Sequence, residues 1–180
     1  KDKGVAVATA RAGNVIGGGD WAKHRLVPDA MRAWSCGDVL DIRNPNATRP
    51  WQHVLDSCSG YLILAKKITE NPALAGPYNF GPILDEPLDV LSLVEKATDY
   101  LSGLTYSVSQ SYLGKESEFL LLDSSKAHNI LGFKSAWQLD ITVEKTFSWY
   151  REFYKGKAPE VLCMKDIENY VSDSEILSKL

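Results

Sequence analysis

The sequence predicts an α/β fold, and three observations carry that prediction. Short apolar runs that read as strands alternate with segments whose apolar residues recur every three to four positions, giving strand, helix, strand, helix, strand, helix and then shorter strands with helices. The first run, Val5 and Val7 with small residues around them, shows no alternation of apolar and polar positions, as expected of a parallel strand covered on both faces. It ends abruptly in Asn14-Val-Ile-Gly17-Gly18-Gly19-Asp20-Trp21, a polar turn with three successive glycines. Ligands of open α/β sheets lie beyond the carboxyl ends of strands, so Arg11 and Asn14 stand where a donor reaches a bound substrate. A strand, a turn and a capping Asn explain the same residues more plainly.

Each later element has a local cause. Leu26, Ala30, Ala33 and Trp34 fall at helical spacing, Pro28 is tolerable in the first turn of a helix starting near Arg25, and Gly37 ends it. Val39, Leu40 and Ile42 predict a short strand. Asn44-Pro-Asn-Ala-Thr-Arg-Pro50 is expected to be a loop, because its two prolines oppose regular pairing, and it is the second candidate ligand surface. A helix is predicted over 55–69, with Asp56 suited to its first turn and Asn71-Pro72 as its stop. Pro77 to Phe80 reads as a strand leaving through Gly81-Pro82. Val90, Leu91, Val94, Ala97 and Leu101 make a helix closed by Gly103, and strands are predicted over 105–108 and 119–122. Ser124 or Ser125 is expected to cap a short helix through Leu131, with Gly132 closing it. The last helix, 141–154, carries Val143, Phe147, Trp149 and Tyr150 as core material, and from Lys165 onward the chain reads as a polar tail with a weak helical pattern.

A chain of 180 residues, 44% hydrophobic and 24% charged, reads as one soluble globular domain with enough core to need no staples. A net charge of -3 with scattered Lys and Arg argues against a nucleic-acid partner. Two or three aimed donors suffice for a diphosphate, so mild acidity is compatible with a nucleotide ligand. Cys36, Cys58 and Cys163 are odd in number and far apart, and read as reduced thiols. His24, His53 and His128 are equally scattered, and no metal site is expected. The longest apolar run, Tyr61 to Ala65, is closed by Lys66 and Lys67 and is far too short to span a bilayer. No membrane partner is expected, and the expected compartment is the cytoplasm.

The segment Ala10-Arg-Ala-Gly-Asn-Val-Ile-Gly-Gly-Gly-Asp-Trp21 resembles the one that follows the catalytic helix in extended short-chain dehydrogenases/reductases. Leu40-Asp-Ile-Arg43-Asn-Pro-Asn-Ala-Thr-Arg49-Pro-Trp-Gln-His53-Val resembles the long pattern of that family's sugar-nucleotide dehydratases, more than the shorter Arg-Asp-Trp/Phe versions of their relatives. Tyr78-Asn-Phe-Gly-Pro82 and Leu122-Asp-Ser-Ser-Lys-Ala127 fit as well, so the matches span nearly the whole chain short of its end. The resemblance implies the carboxyl-terminal part of a Rossmann-like parallel sheet plus a smaller mixed α/β sugar-nucleotide-binding domain. Sheet-derived pieces are expected at about 4–16 and 50–82, and substrate-domain pieces at about 22–46 and 87–160.

The family opens with a glycine-rich fingerprint and places a Tyr-x-x-x-Lys pair shortly before the segment where this chain starts. Neither is present, and Gly17 to Gly19 lack both the G-x-G-x-x-G spacing and a following helix that could face a pyrophosphate. Residues 1–180 are therefore read as the carboxyl-terminal, substrate-binding portion of an enzyme. The implied parent is a lyase that dehydrates CDP-glucose to CDP-4-keto-6-deoxyglucose, with NAD as recycled hydride carrier bound mainly by the absent half. No catalytic residue is assigned to this chain, which alone is expected to be inactive. The parent is expected to be a homo-oligomer serving polysaccharide biosynthesis. Another sugar-nucleotide dehydratase or epimerase, or a non-catalytic sugar-nucleotide-binding module, fits the same residues.

By the same resemblance Arg49 binds the nucleotide's phosphates, for which a guanidinium fork is suited. Arg43 is placed near the base or ribose, where a planar guanidinium can stack. Asn14 and Asn79, read as lying just after strands, are expected to donate to a phosphate or sugar hydroxyl. Arg25 is expected at the helix start that covers the sugar nucleotide, and Arg11 on the cofactor side. Glu116 stands where thymidine-linked relatives carry an arginine; its carboxylate can accept from a cytosine amino group or a ribose hydroxyl, which suits a cytidine nucleotide. Each residue also has a plainer reading, as a surface ion pair, a turn Asn or a solvated carboxylate. Trp51 and His53 read as packing residues.

Overall fold

The computed structural model describes residues 4–82, 88–109 and 120–174. In chain order the elements are β1 (Ala8–Ala12), β2 (Asn14–Ile16), α1 (Leu26–Cys36), β3 (Val39–Ile42), β4 (Thr48–Arg49), β5 (Trp51–His53) and α2 (Val54–Glu70). Then follow β6 (Gly76–Phe80), β7 (Leu88–Asp89), α3 (Val90–Thr98), β8 (Thr105–Val108), a π-helical turn (Ala127–Leu131), α4 (Leu139–Tyr154) and α5 (Pro159–Asp173). The α/β class and most helix limits agree with the sequence. Gly37 closes α1 in the left-handed region at φ 71°, where a residue without Cβ costs least.

The pairing is mostly parallel. Ala8 of β1 faces Gly76 of β6, Asn14 of β2 faces Trp51 of β5, and Val39 of β3 faces Thr105 of β8. One core joins α1, β3, α3 and α4 through Met31, Ile42, Leu93, Leu101, Phe147 and Tyr150. A second joins α2, β6 and the π-helical turn through Ile63, Leu64, Phe80, Ala127, Leu131 and Phe133. Helix α2 lies close on β6 because Gly60 faces the Phe80 ring, where a Cβ would come within 2.4 Å.

Five expectations need correction. Val5 and Val7 are 74% and 67% exposed, and Thr9 to Arg11 are exposed too. Among the described residues β1 pairs with β6 alone, and the run expected to be covered on both faces is largely exposed. The 44–50 segment does pair: Thr48 and Arg49 form β4 between the two prolines, antiparallel to β7, because a proline removes only its own N–H. Of the 119–122 strand, Phe119 lies outside the described residues, and 120–122 join no ladder; Leu120 N–H donates singly to Thr48 O. Ser124 does not cap the π-helical turn, which has no side-chain cap; its buried hydroxyl instead donates to Gly81 O at 3.2 Å. The polar tail expected after Lys165 is largely α5, which packs on α4, with Leu162 in the first core and the Tyr170 ring against Trp137.

The three cysteines are exposed free thiols. Among the described residues no helix is long and apolar enough to cross a membrane, and no three His, Cys, Asp or Glu side chains gather as a metal site would require.

Candidate functional site

A cavity of about 510 Å³ lies between the 13–17 segment, the start of α1, β3 and the loop after it. Asn14, Arg25, Arg43 and Arg49 all line it, together with Asp41 and Trp51. Local chemistry explains how the chain delivers them. The loop after β3 is tied to α3, since Val90 N–H donates to Ala47 O and Leu91 N–H to Pro45 O. Helix α3 is itself capped by the Asp89 carboxylate, which accepts from Ser92 N–H at 2.7 Å. Arg49 sits half-buried on β4 with Nη1 donating to Thr48 O at 2.9 Å, and Trp51 Nε1 donates to Leu88 O at 3.0 Å, fixing β7 beside it. Arg43 leaves the end of β3 exposed.

Arg25 is the N-cap residue of α1 and makes no capping bond of its own. Its guanidinium is 66% exposed and 4.0 Å from the Asp20 carboxylate. The first turn of α1 lines the cavity, so the positive end of the helix adds to the three arginines that line it too. Asp20, Asp29 and Asp41 also line the cavity. Asp29 is paired with Arg32, and Asp41 accepts from the Ser109 hydroxyl, so part of this acidity is already engaged.

The other sequence-predicted residues lie elsewhere. Arg11 is exposed on β1 opposite Asn79, and neither lines the cavity. Asn79 lies within β6 rather than after it, and its amide donates to Asp123 O at 2.9 Å, tying that strand to the 120–124 segment. Asn14 follows β1 with Gly13 between them and itself opens β2. Glu116 lies outside the described residues.

The glycine turn serves packing. A Cβ on Gly18 would come within 2.1 Å of the Trp149 ring, and one on Gly17 within 2.7 Å of Val54. Both carry hydrogen so that α4 and α2 can approach. Beyond them Tyr150 donates its hydroxyl to Asp20 O at 2.6 Å, and Trp21 packs edge-on against the Tyr150 ring at 5.3 Å. The sequence marks Tyr150 as core material but gives no sign that its hydroxyl reaches the turn. His53 is buried, as expected of a packing residue, and its Nδ1 accepts from Leu55 N–H to cap α2. Burial above all, and then Lys145, push its pKa down to about 3 and keep the ring neutral.

No family model matches the chain. It is 37% identical over 171 residues to the CDP-glucose 4,6-dehydratase of Salmonella typhimurium (strain LT2), a match that covers 94% of this chain and 48% of that protein. Over nearly its whole length the chain is similar to that enzyme. Solved structures carry the fold further. UDP-glucuronic acid 4-epimerase from Bacillus cereus, in complex with UDP-glucuronic acid and NAD, superposes with a TM-score of 0.71 at 17% identity over 85% of this chain and 48% of that one. The dTDP-glucose 4,6-dehydratase from Bacillus anthracis, in complex with NAD, gives 0.65 at 17% identity over 82% and 45%. The chain thus has the α/β architecture of these epimerases and dehydratases and spans about half the length of the relatives it matches.

Proposed function

We propose that the chain is the carboxyl-terminal, substrate-binding portion of a lyase that converts CDP-glucose to CDP-4-keto-6-deoxyglucose. The observation that carries the reading is the convergence of Arg25, Arg43, Arg49 and the positive end of α1 on one cavity with Asn14. The 37% identity to a dehydratase acting on that sugar nucleotide supports the choice of ligand. Arg49, whose Nη1 donates to Thr48 O, lines the cavity and is assigned to the diphosphate, for which a guanidinium fork is suited. Arg43, exposed at the rim, is assigned to the ribose or base, and Asn14 to a phosphate or sugar hydroxyl. Asn79, on β6, and Glu116 are carried in the proposed substrate set by the resemblance alone.

In such a lyase NAD takes a hydride from the sugar and returns it. The described residues do not form a dinucleotide cradle, because the glycines that could admit a pyrophosphate are filled by Trp149 and Val54. NAD is therefore assigned mainly to residues outside this chain, with Arg11 the proposed contact from β1. The proposed division has sheet-derived pieces at 4–16 and 50–82 and substrate-domain pieces at 22–46 and 87–160; most of each hydrophobic core falls on one side of it, while Ile16 and Trp51 join the core of the substrate side. The Ala127–Leu131 turn, packed on α2 and β6, would reach back across that division. The reading extends to a cytoplasmic, homo-oligomeric parent enzyme in polysaccharide precursor synthesis.

Calorimetric titration of the chain with CDP-glucose, UDP-glucose and dTDP-glucose tests the assignment. A base whose amino group is paired in the site should be preferred by about five- to a hundredfold, since each wrong base leaves a buried polar atom unpaired. Equal affinity for all three would remove the cytidine assignment, and no heat with any of them would remove the sugar-nucleotide reading.

A further inference from the structure

Residues 20–25 connect the glycine turn to α1 without regular structure, yet they deliver Asp20, His24 and Arg25 to the cavity. The segment is gripped from two sides. From α4, Tyr150 donates to Asp20 O at 2.6 Å, and its ring, with those of Phe153 and Tyr154, surrounds Trp21 at centroid distances of 5.3, 5.2 and 6.3 Å. From α1, the Arg32 guanidinium donates to Trp21 O at 3.2 Å and to Ala22 O at 3.0 Å. Between the grips and the helix, His24 holds φ at 63°, a left-handed conformation that a residue with a Cβ keeps only where its surroundings impose it. Arg25, by contrast, has no capping bond and a largely exposed side chain, so the placement of its guanidinium depends on the backbone that carries it.

We infer that Tyr150 and Arg32 are positioning residues of the sugar-nucleotide site, which act through the 20–25 segment to aim Arg25 at the ligand. The inference rests on the proposed sugar-nucleotide reading. Neither side chain lines the cavity; Tyr150 touches the segment that does, whereas Arg32 holds that segment and also pairs with Asp29 on the cavity wall.

The test is a double-mutant cycle on CDP-glucose affinity in the full chain, using Tyr150→Phe, Arg25→Ala and their combination, with thermal unfolding followed in parallel. Tyr150→Phe keeps the ring contacts and removes one hydroxyl, and should weaken binding about three- to tenfold. In the Arg25→Ala background the same change should cost less than about twofold, because the residue through which it acts is gone. Arg32→Gln, measured in an Asp29→Asn background where the ion pair with that cavity residue is already absent, should behave in the same way and serves if Tyr150→Phe does not fold. Unchanged affinity in folded Tyr150→Phe or Arg32→Gln, or an equal loss with and without Arg25, would overturn the positioning role. Failure of the unmodified chain to bind CDP-glucose would overturn the functional reading beneath it, a distinct result.

Discussion

Arg49 and Gly18 show what single residues contribute. Replacing Arg49 with Ala removes a half-buried guanidinium from the cavity wall, and loss of a charge-assisted contact costs about 1.5–3 kcal/mol, so CDP-glucose should bind roughly ten- to a hundredfold more weakly. Arg49→Lys should recover only part of this, because an ammonium cannot reproduce the fork. Calorimetry on both variants checks it, and wild-type affinity in the Ala variant would return Arg49 to a structural role. Gly18→Ala should destabilise the fold by about 1–3 kcal/mol or more, since its Cβ would overlap Trp149, whose ring is held between Tyr150 and Phe153. A chemical denaturation midpoint matching wild type would contradict that packing. The sequence shows at this scale which side chains can meet an anion, and Asn14, Arg25, Arg43 and Arg49 do share one cavity. What three glycines admit is not legible, because a ligand phosphate and an indole ring demand the same missing Cβ.

Helices α2 and α5 illustrate what a whole element adds. Periodicity marks α2 plainly, whereas the part of α5 from Lys165 onward reads as tail because its anchors there are polar. Tyr170 donates to the buried Asp56 carboxylate at 2.6 Å, Ala136 N–H donates to the same oxygen at 2.7 Å, and Trp137 Nε1 donates to Asp173 at 2.8 Å. Burial is the largest effect on Asp56 and raises its pKa, with the bond from Tyr170 opposing it. Tyr170→Phe leaves that carboxylate short of a donor and should release α5, with faster amide exchange there than in α2 and a loss of about 1.5–3 kcal/mol. Uniform exchange in both helices would count against α5 being held by this bond. His53 couples the start of α2 to pH. Its imidazole takes a proton near pH 6.5 when unfolded and only near 3 when folded, so its contribution is complete above pH 6.5 and is lost as pH falls toward 3. Stability should drop by up to about 1.4 kcal/mol per pH unit in that window, and His53→Asn, which can still accept at the cap, should flatten the drop. Denaturation curves between pH 7 and 4 that superpose for both proteins would exclude this role.

The molecule as a whole pairs a cavity rich in guanidinium groups with a sheet whose first strand is largely exposed. The α/β class was legible in the order of apolar periods, and the motifs pointed to the relatives that the sequence and fold comparisons then found. The openness of Val5 and Val7 was not legible, because an apolar run records only that a strand is suited to burial and not what covers it. Without a dinucleotide cradle among its described residues, this chain alone should neither bind NAD at micromolar concentration nor turn over CDP-glucose. The central claim, that the chain holds a sugar nucleotide, is tested most directly by titrating isotope-labelled chain with CDP-glucose and following backbone amide shifts. The account predicts saturable changes concentrated at Asn14, the 20–27 segment, Arg43 and Arg49, and none of comparable size on adding NAD. Shifts scattered away from the cavity, or none at all, would contradict it.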